Sequence, residues 1–299
     1  MTKSIGLISF WLQLLRVKQW IKNAFIFFPL IFSGRVLEDR LTLKTAIVFL
    51  GFSLVASALY IINDLIDRKK DKLHPKKAQR ILTASNLNKN FIFALVGALQ
   101  ITGVYILIRI EPLLVFPIGI YILVNLLYNL FAKRIVLLDV MFIAFGFHLR
   151  IWTGAIAVSI IPSVWLQLCV FLLALFLGFT KRRNEFSILK ERAYEHRAVL
   201  SHYTISMLDQ VIIICSTLAI VFYGLYTISP EITQRYGGSK MIFSIIFVIY
   251  GMFRYLYLMH VKQLGDDPSE VLLTDFPLLF CVLSWICYLI VVLYLYPHV

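Results

Sequence analysis

The chain has 299 residues, 60% of them hydrophobic and 15% charged, with a mean hydropathy of +0.84 and a formal net charge of +13. This balance excludes an ordinary soluble domain, in which roughly a quarter of residues are charged. It leaves a helical membrane bundle, in which about 20 apolar residues cross the bilayer per helix.

In chain order, residues 1–18 read as an amphipathic helix at the membrane interface, anchored by Trp11. Ile5–Leu15 is apolar, but no small-residue cleavage site precedes the basic Arg16–Lys22 segment, so a cleaved signal peptide is not expected. Nine spans follow: Trp20–Phe32, Thr42–Ile62, Asn90–Ile108, Leu113–Phe131, Val136–Val158, Pro162–Gly178, Gln210–Ile228, Met241–His260 and Phe276–Tyr296. The first is short and interrupted by Pro29, so it recruits residues on either side. The expected architecture is one all-α, polytopic membrane domain over residues 1–299. Its two long polar segments, 63–89 and 179–209, are the expected chemical face.

Charge sets the orientation. With a cytosolic N-terminus, inside segments carry 21 of the 29 basic residues and outside segments six, while Arg150 and Arg254 fall within spans. The positive-inside rule therefore predicts a cell-membrane protein whose C-terminus is outside and whose active site faces the cytosol. Cys169, Cys215, Cys281 and Cys287 lie in apolar runs without metal-ligand spacing and read as small buried hydrophobes. Membrane lipids are expected partners, nucleic acid is not, and a homo-oligomer is compatible with the sequence.

The second span ends in Asn63-Asp64-Leu65-Ile66-Asp67-Arg68-Lys69-Lys70-Asp71. On a helix, Asn63, Asp64, Asp67 and Asp71 project at about 0°, 100°, 40° and 80°, one stripe of oxygen ligands. Carboxylates this close repel one another, and a hard cation relieves the repulsion. Mg²⁺ suits the stripe, since it is commonly held by one or two carboxylates plus substrate phosphates. A solvated helix end, its acids paired with Arg68, Lys69, Lys70 and Lys72, is the structural alternative. Arg150 poses a separate problem. An unpaired cation within a span is costly, and Asp139, three turns earlier, is too far for a direct pair. An anionic substrate or a carboxylate from another helix is expected beside it.

The acidic stretch resembles the first aspartate-rich motif of the UbiA superfamily of intramembrane prenyltransferases. Gln19-Trp20-Ile21-Lys22-Asn23, His74-Pro75-Lys76-Lys77, Lys133, Leu149-Arg150, Lys181-Arg182-x-x-Glu185 and Arg254-Tyr255 extend the likeness over most of the chain. They narrow it to the branch that transfers phosphoribose to decaprenyl phosphate. Arg80-Ile81 and Ser85-Asn86 depart from that branch, which usually has Arg-Pro followed by a small-residue turn with Gly.

The resemblance implies a Mg²⁺-dependent transfer of 5-phosphoribose from phosphoribosyl diphosphate to a polyprenyl phosphate. Asn63, Asp67, Asp64 and Asp71 would hold the metal. Asp67, Asp64, Lys133 and Arg150 would carry catalysis. Lys22, Tyr60, Lys77, Arg80, Lys133, Arg150, Lys181, Arg182 and Glu185 would contact substrate. The Lys181–Glu185 segment bears more cations than a second metal-binding acidic cluster would, which suits a donor with several phosphates. Arg182 and Glu185 could equally form an i,i+3 pair. Arg254 is divided between structure and acceptor binding. Two other functions remain: prenyl transfer from an isoprenoid diphosphate to an aromatic acceptor, and lipid-phosphate binding or transport without catalysis.

Overall fold

The structure is a computed structural model and describes residues 6–72, 77–85, 87–189, 200, 202–235, 239–264 and 268–295. Every regular element among them is helical. Helix α1 (Leu7–Leu14) leads into an 11-residue 3-10 run, Val17–Phe27, continued by α2 (Phe28–Phe32). Then come α3 (Asp39–Asp71), α4 (Ile81–Ala84), α5 (Lys89–Ile110), α6 (Val115–Leu130), α7 (Leu138–Ala157) and α8 (Val164–Leu189). The chain closes with α9 (Ile205–Thr227), α10 (Pro230–Arg235), α11 (Ile245–His260), α12 (Pro268–Thr274) and α13 (Phe276–Leu295).

Among the described residues, eight helices are long and apolar enough to cross a membrane, and they match the second to ninth expected spans. Their outward faces are apolar, as at Ile101, Phe116, Phe253 and Phe280, the surface a bilayer requires. This is a multi-pass membrane protein. The first expected span, Trp20–Phe32, is not one long helix. It is the 3-10 run with α2 appended, and Pro29 sits in the first turn of α2, where its missing N–H costs nothing. At about 2.0 Å per 3-10 residue and 1.5 Å per α residue, Val17–Phe32 still advances about 30 Å.

Helix α3 is about 50 Å long at 1.5 Å per residue, more than the roughly 30 Å hydrocarbon core. Its last turns therefore carry Asn63–Asp71 to the membrane boundary as helix. It packs along α5, and α8 packs along both α7 and α9. The α3–α5 approach is close: a Cβ added to Gly103 would lie 2.7 Å from the Gly51 carbonyl oxygen, the small-residue packing that membrane helices use. Cys215 and Cys281 are buried as expected, but Cys169 is only half-buried, and Cys287 is exposed on the lipid-facing side of α13.

Candidate active site

A cavity of about 290 Å³ opens at one end of the bundle, among the last turns of α3, α6 and α8 and the first turns of α7. Asn63, Asp67 and Asp71 line it from α3. Asp67 accepts a hydrogen bond from Lys133 Nζ at 2.7 Å. The buried Oδ1 of Asn63 has no hydrogen-bond partner among the described residues, an uncompensated polar atom at a ligand-accessible wall. Asp64 turns toward two arginines instead: Arg16 pairs with it, and Arg80 Nη1 bridges Asp64 Oδ1 at 3.0 Å and Asp71 Oδ2 at 2.6 Å.

The 3-10 run builds the opposite wall. Three residues per turn stack side chains at i and i+3. Gln19 and Lys22 thus stack, and both line the cavity together with Arg16, the residue just before the run, whose backbone is left-handed (φ 52°). A second column, Trp20, Asn23 and Ile26, faces the bundle. Trp20 Nε1 donates to Ser57 Oγ at 3.0 Å, and Asn23 Nδ2 donates to Ser53 Oγ at 2.9 Å. Ile26 seats on α7 because Gly154 has no side chain; a Cβ there would lie 2.0 Å from the Ile26 carbonyl oxygen.

Docking this segment completes a cage around Arg150, which is 3% exposed. Its Nε donates to Asn23 Oδ1 (2.8 Å), Nη1 to the Gly146 carbonyl (2.7 Å) and Nη2 to Tyr121 Oη (3.0 Å). The rings of Phe52, Tyr121 and Phe147 surround the guanidinium at 5.0–5.2 Å. Of the two partners expected, an anionic substrate or another helix's carboxylate, the carboxylate is not found among the described residues: neutral amides, a phenol and aromatic faces satisfy the hydrogen bonds. They leave the positive charge uncancelled beside the cavity that Arg150 lines.

Arg182 behaves differently. It is 1% exposed, and its Nε donates to Asp139 Oδ2 (2.5 Å) while Nη1 donates to Glu185 Oε2 (2.9 Å). Asp139 Oδ1 also accepts from Tyr203 Oη at 2.9 Å, and Tyr203 Oη accepts from the Leu137 N–H at 2.7 Å. Burial, reinforced by the Asp139 carboxylate, raises the Tyr203 phenol above its ordinary range.

Of the expected substrate residues, the cavity gathers Lys22, Tyr60, Arg80, Lys133, Arg150, Lys181 and Arg182. Glu185 is not on its wall, because it is drawn to Arg182. Asp64 is likewise off the wall, as its extreme position on the stripe allows. The side chain of Lys77, and the residues His74, Pro75 and Lys76, lie outside the described set, as does 190–199 of the second polar segment. Arg254, divided above between structure and acceptor binding, forms a two-pronged pair with Asp275, at 3.1 and 2.8 Å. Sequence reasoning missed Arg16, Gln19, Tyr121, Asn125, Tyr128, Asn129 and Arg134 as cavity residues. A signal was present: Tyr121, Asn125, Tyr128 and Asn129 form a helix-spaced polar stripe within an apolar run.

A model of the UbiA prenyltransferase family matches residues 26–269. The chain belongs to the UbiA prenyltransferase family. Uncharacterized protein y4nM of Sinorhizobium fredii is 30% identical over 89% of this chain, which spans only 52% of that protein's length. A decaprenyl-phosphate phosphoribosyltransferase from Mycolicibacterium smegmatis is 27% identical, with 94% of this chain and 91% of that protein covered. The solved structure of a UbiA homolog from Archaeoglobus fulgidus bound to DMAPP and Mg²⁺ has a TM-score of 0.69 at 15% identity, covering 95% of this chain and 98% of that one. That likeness establishes the UbiA fold. In this UbiA chain the Lys181–Glu185 stretch after the sixth expected span carries Lys181, Arg182 and Arg183, and its one acid, Glu185, is already engaged by Arg182.

Proposed function

We propose that this chain transfers 5-phosphoribose from phosphoribosyl diphosphate to a polyprenyl phosphate, releasing diphosphate, for lipid-linked sugar and cell-envelope glycan synthesis. The observation that carries the reading is the charge of the cavity. One set of oxygen ligands, Asn63, Asp67 and Asp71, faces Arg16, Lys22, Arg80, Lys133, Arg134, Arg150 and Lys181. A donor with two phosphorylated positions and a phosphate acceptor bring enough negative charge to match these cations. The name of the Mycolicibacterium smegmatis relative supports the same reading.

The donor set fits Mg²⁺. Among the described residues no group of three or more His, Cys, Asp or Glu converges, so the protein would supply few oxygens and substrate phosphate the rest. Asn63 Oδ1 and the Asp67 carboxylate would hold the ion, with Asp71 in support and Asp64 acting through Arg80. When bound, the ion supplies charge stabilisation for the departing diphosphate. Lys133 and Arg150 act on the same developing charge, while Lys22, Lys181 and Arg16 position the remaining phosphates. The acceptor phosphate is already ionised near neutral pH, so the site needs no strong general base. In this reading the cavity faces the cytosol, Val17–Phe32 makes a ninth crossing, and α1 lies at the interface.

Incubating membranes that contain the protein with labelled phosphoribosyl diphosphate, a polyprenyl phosphate and Mg²⁺ tests the proposal. Label should enter the organic phase. The alternative reading is prenyl transfer from an isoprenoid diphosphate, the class of ligand bound in the Archaeoglobus fulgidus structure, to an aromatic acceptor. Labelled prenyl diphosphate consumed in place of the phosphoribosyl donor would decide for it.

A further inference from the structure

We propose that Tyr203 is a positioning residue for Lys133, clamping the α6–α7 turn from outside the cavity. Lys133 sits in a short 3-10 turn, Ala132–Arg134, that leads through Leu137 into α7. Leu137 is held at φ 67° and ψ −43°, a strained backbone conformation for a residue with a side chain unless its surroundings impose it. What imposes it is visible. The Leu137 N–H donates to Tyr203 Oη, and the same hydroxyl donates to Asp139, which Arg182 holds in turn. Tyr203 is 2% exposed, Asp139 0% and Arg182 1%, so water cannot substitute for these bonds.

Tyr203 does not line the cavity, whereas Lys133 and Arg182 do. It lies two residues before α9. One phenol therefore joins the approach to α9 to the backbone of the turn that aims Lys133 at Asp67. Without the hydroxyl, Leu137 relaxes to an ordinary negative φ, and the turn carrying Lys133 moves with it. The inference rests on the cavity binding a diphosphate, not on which group the donor carries.

Inorganic diphosphate, common to both readings of the donor, is therefore the probe. Its binding in Mg²⁺ is measured by calorimetry on purified full-length protein, with thermal unfolding followed in parallel. Tyr203→Phe should weaken binding by about tenfold, the scale of a lost charge-assisted contact. Leu137→Pro, which removes the N–H and forbids positive φ, should reproduce the loss by a second route and decides the matter if Tyr203→Phe does not fold. Adding Leu137→Gly to Tyr203→Phe should restore binding to within about threefold, because glycine accepts φ 67° unaided. A Tyr203→Phe protein that unfolds earlier but binds diphosphate like the wild type overturns the positioning role, as does failure of the glycine rescue. No binding to the wild type overturns it together with the cavity's phosphate role.

Discussion

Arg150 on α7 and Arg182 on α8 are both almost sealed from solvent, and both touch the same cavity. Arg182 is held between two carboxylates, Asp139 and Glu185, so its charge is used within the protein. Arg150 is held by an amide, a carbonyl, a phenol and three aromatic rings, which satisfy its hydrogen bonds but leave its charge. The two guanidiniums are similarly buried, but the formal charge of their partners differs. Neutral groups fix Arg150 in place and leave its charge to act on an anion, whereas the two carboxylates beside Arg182 cancel most of its charge within the protein.

The comparison can be broken or sharpened by substitution. The largest effect is expected at Arg182. Arg182→Met leaves Asp139 and Glu185 buried without their shared cation, and breaking such an ion pair costs about 3–5 kcal/mol. The protein should aggregate in detergent or melt far earlier; a well-folded Arg182→Met variant that merely binds substrate less tightly would move Arg182 to the functional side. Arg150→Met strands no carboxylate among the described residues, so the fold should survive. Phosphoribosyl diphosphate affinity should fall about tenfold to a hundredfold, the worth of a charge-assisted phosphate contact. Calorimetry that finds unchanged binding would make Arg150 a structural residue.

A smaller effect should reach Arg150 from a distance. Gly154→Ala pushes against the Ile26 carbonyl and should displace the segment that brings Asn23 to Arg150. We expect a loss of about 1–3 kcal/mol, typical of overpacking, with donor affinity lowered even though residue 154 contacts no substrate. Denaturant or thermal unfolding beside calorimetry separates the two losses. The smallest effect belongs to a third arginine, Arg254, whose hydrogen bonds to Asp275 hold that carboxyl below its usual range. A carboxyl lowered on folding stabilises above its unfolded pKa of about 4, and its contribution disappears as pH falls through the folded value. Arg254→Ala should flatten the fall in melting temperature below about pH 4; an unchanged acid limb would show that the pair contributes nothing measurable.

What the sequence revealed follows the range of each interaction. The α3 stripe was legible because Asn63, Asp67 and Asp71 lie within nine residues at helical spacing. The Arg182–Glu185 pair was legible for the same reason. That Arg150 required a partner was also readable, since hydrocarbon tolerates no bare cation. The kind of partner was not, because Asn23 and Tyr121 reach it from 127 and 29 residues away, and local periodicity carries no trace of such contacts. Asp139 was likewise separated from Arg182 by 43 residues. The winding of the first expected span was not legible, because a short apolar run gives the same hydropathy wound at 3.0 or at 3.6 residues per turn. The distinguishing sign was the three-residue spacing of Gln19 and Lys22.

That spacing has a consequence for engineering. Stabilised variants are commonly sought by filling helical segments with strong α-formers such as alanine and leucine. Applied to Val17–Phe27, the strategy would tighten the local backbone while undoing its purpose. Each three-residue step would turn about 300° rather than a full circle, so Lys22 would rotate about 60° away from Gln19. The Trp20–Asn23–Ile26 column would lose its alignment in the same motion, and Asn23 would leave Arg150. Improved thermal tolerance in this segment is therefore expected to arrive with a poorer catalyst, and a stability screen run without an activity assay would select the wrong winners.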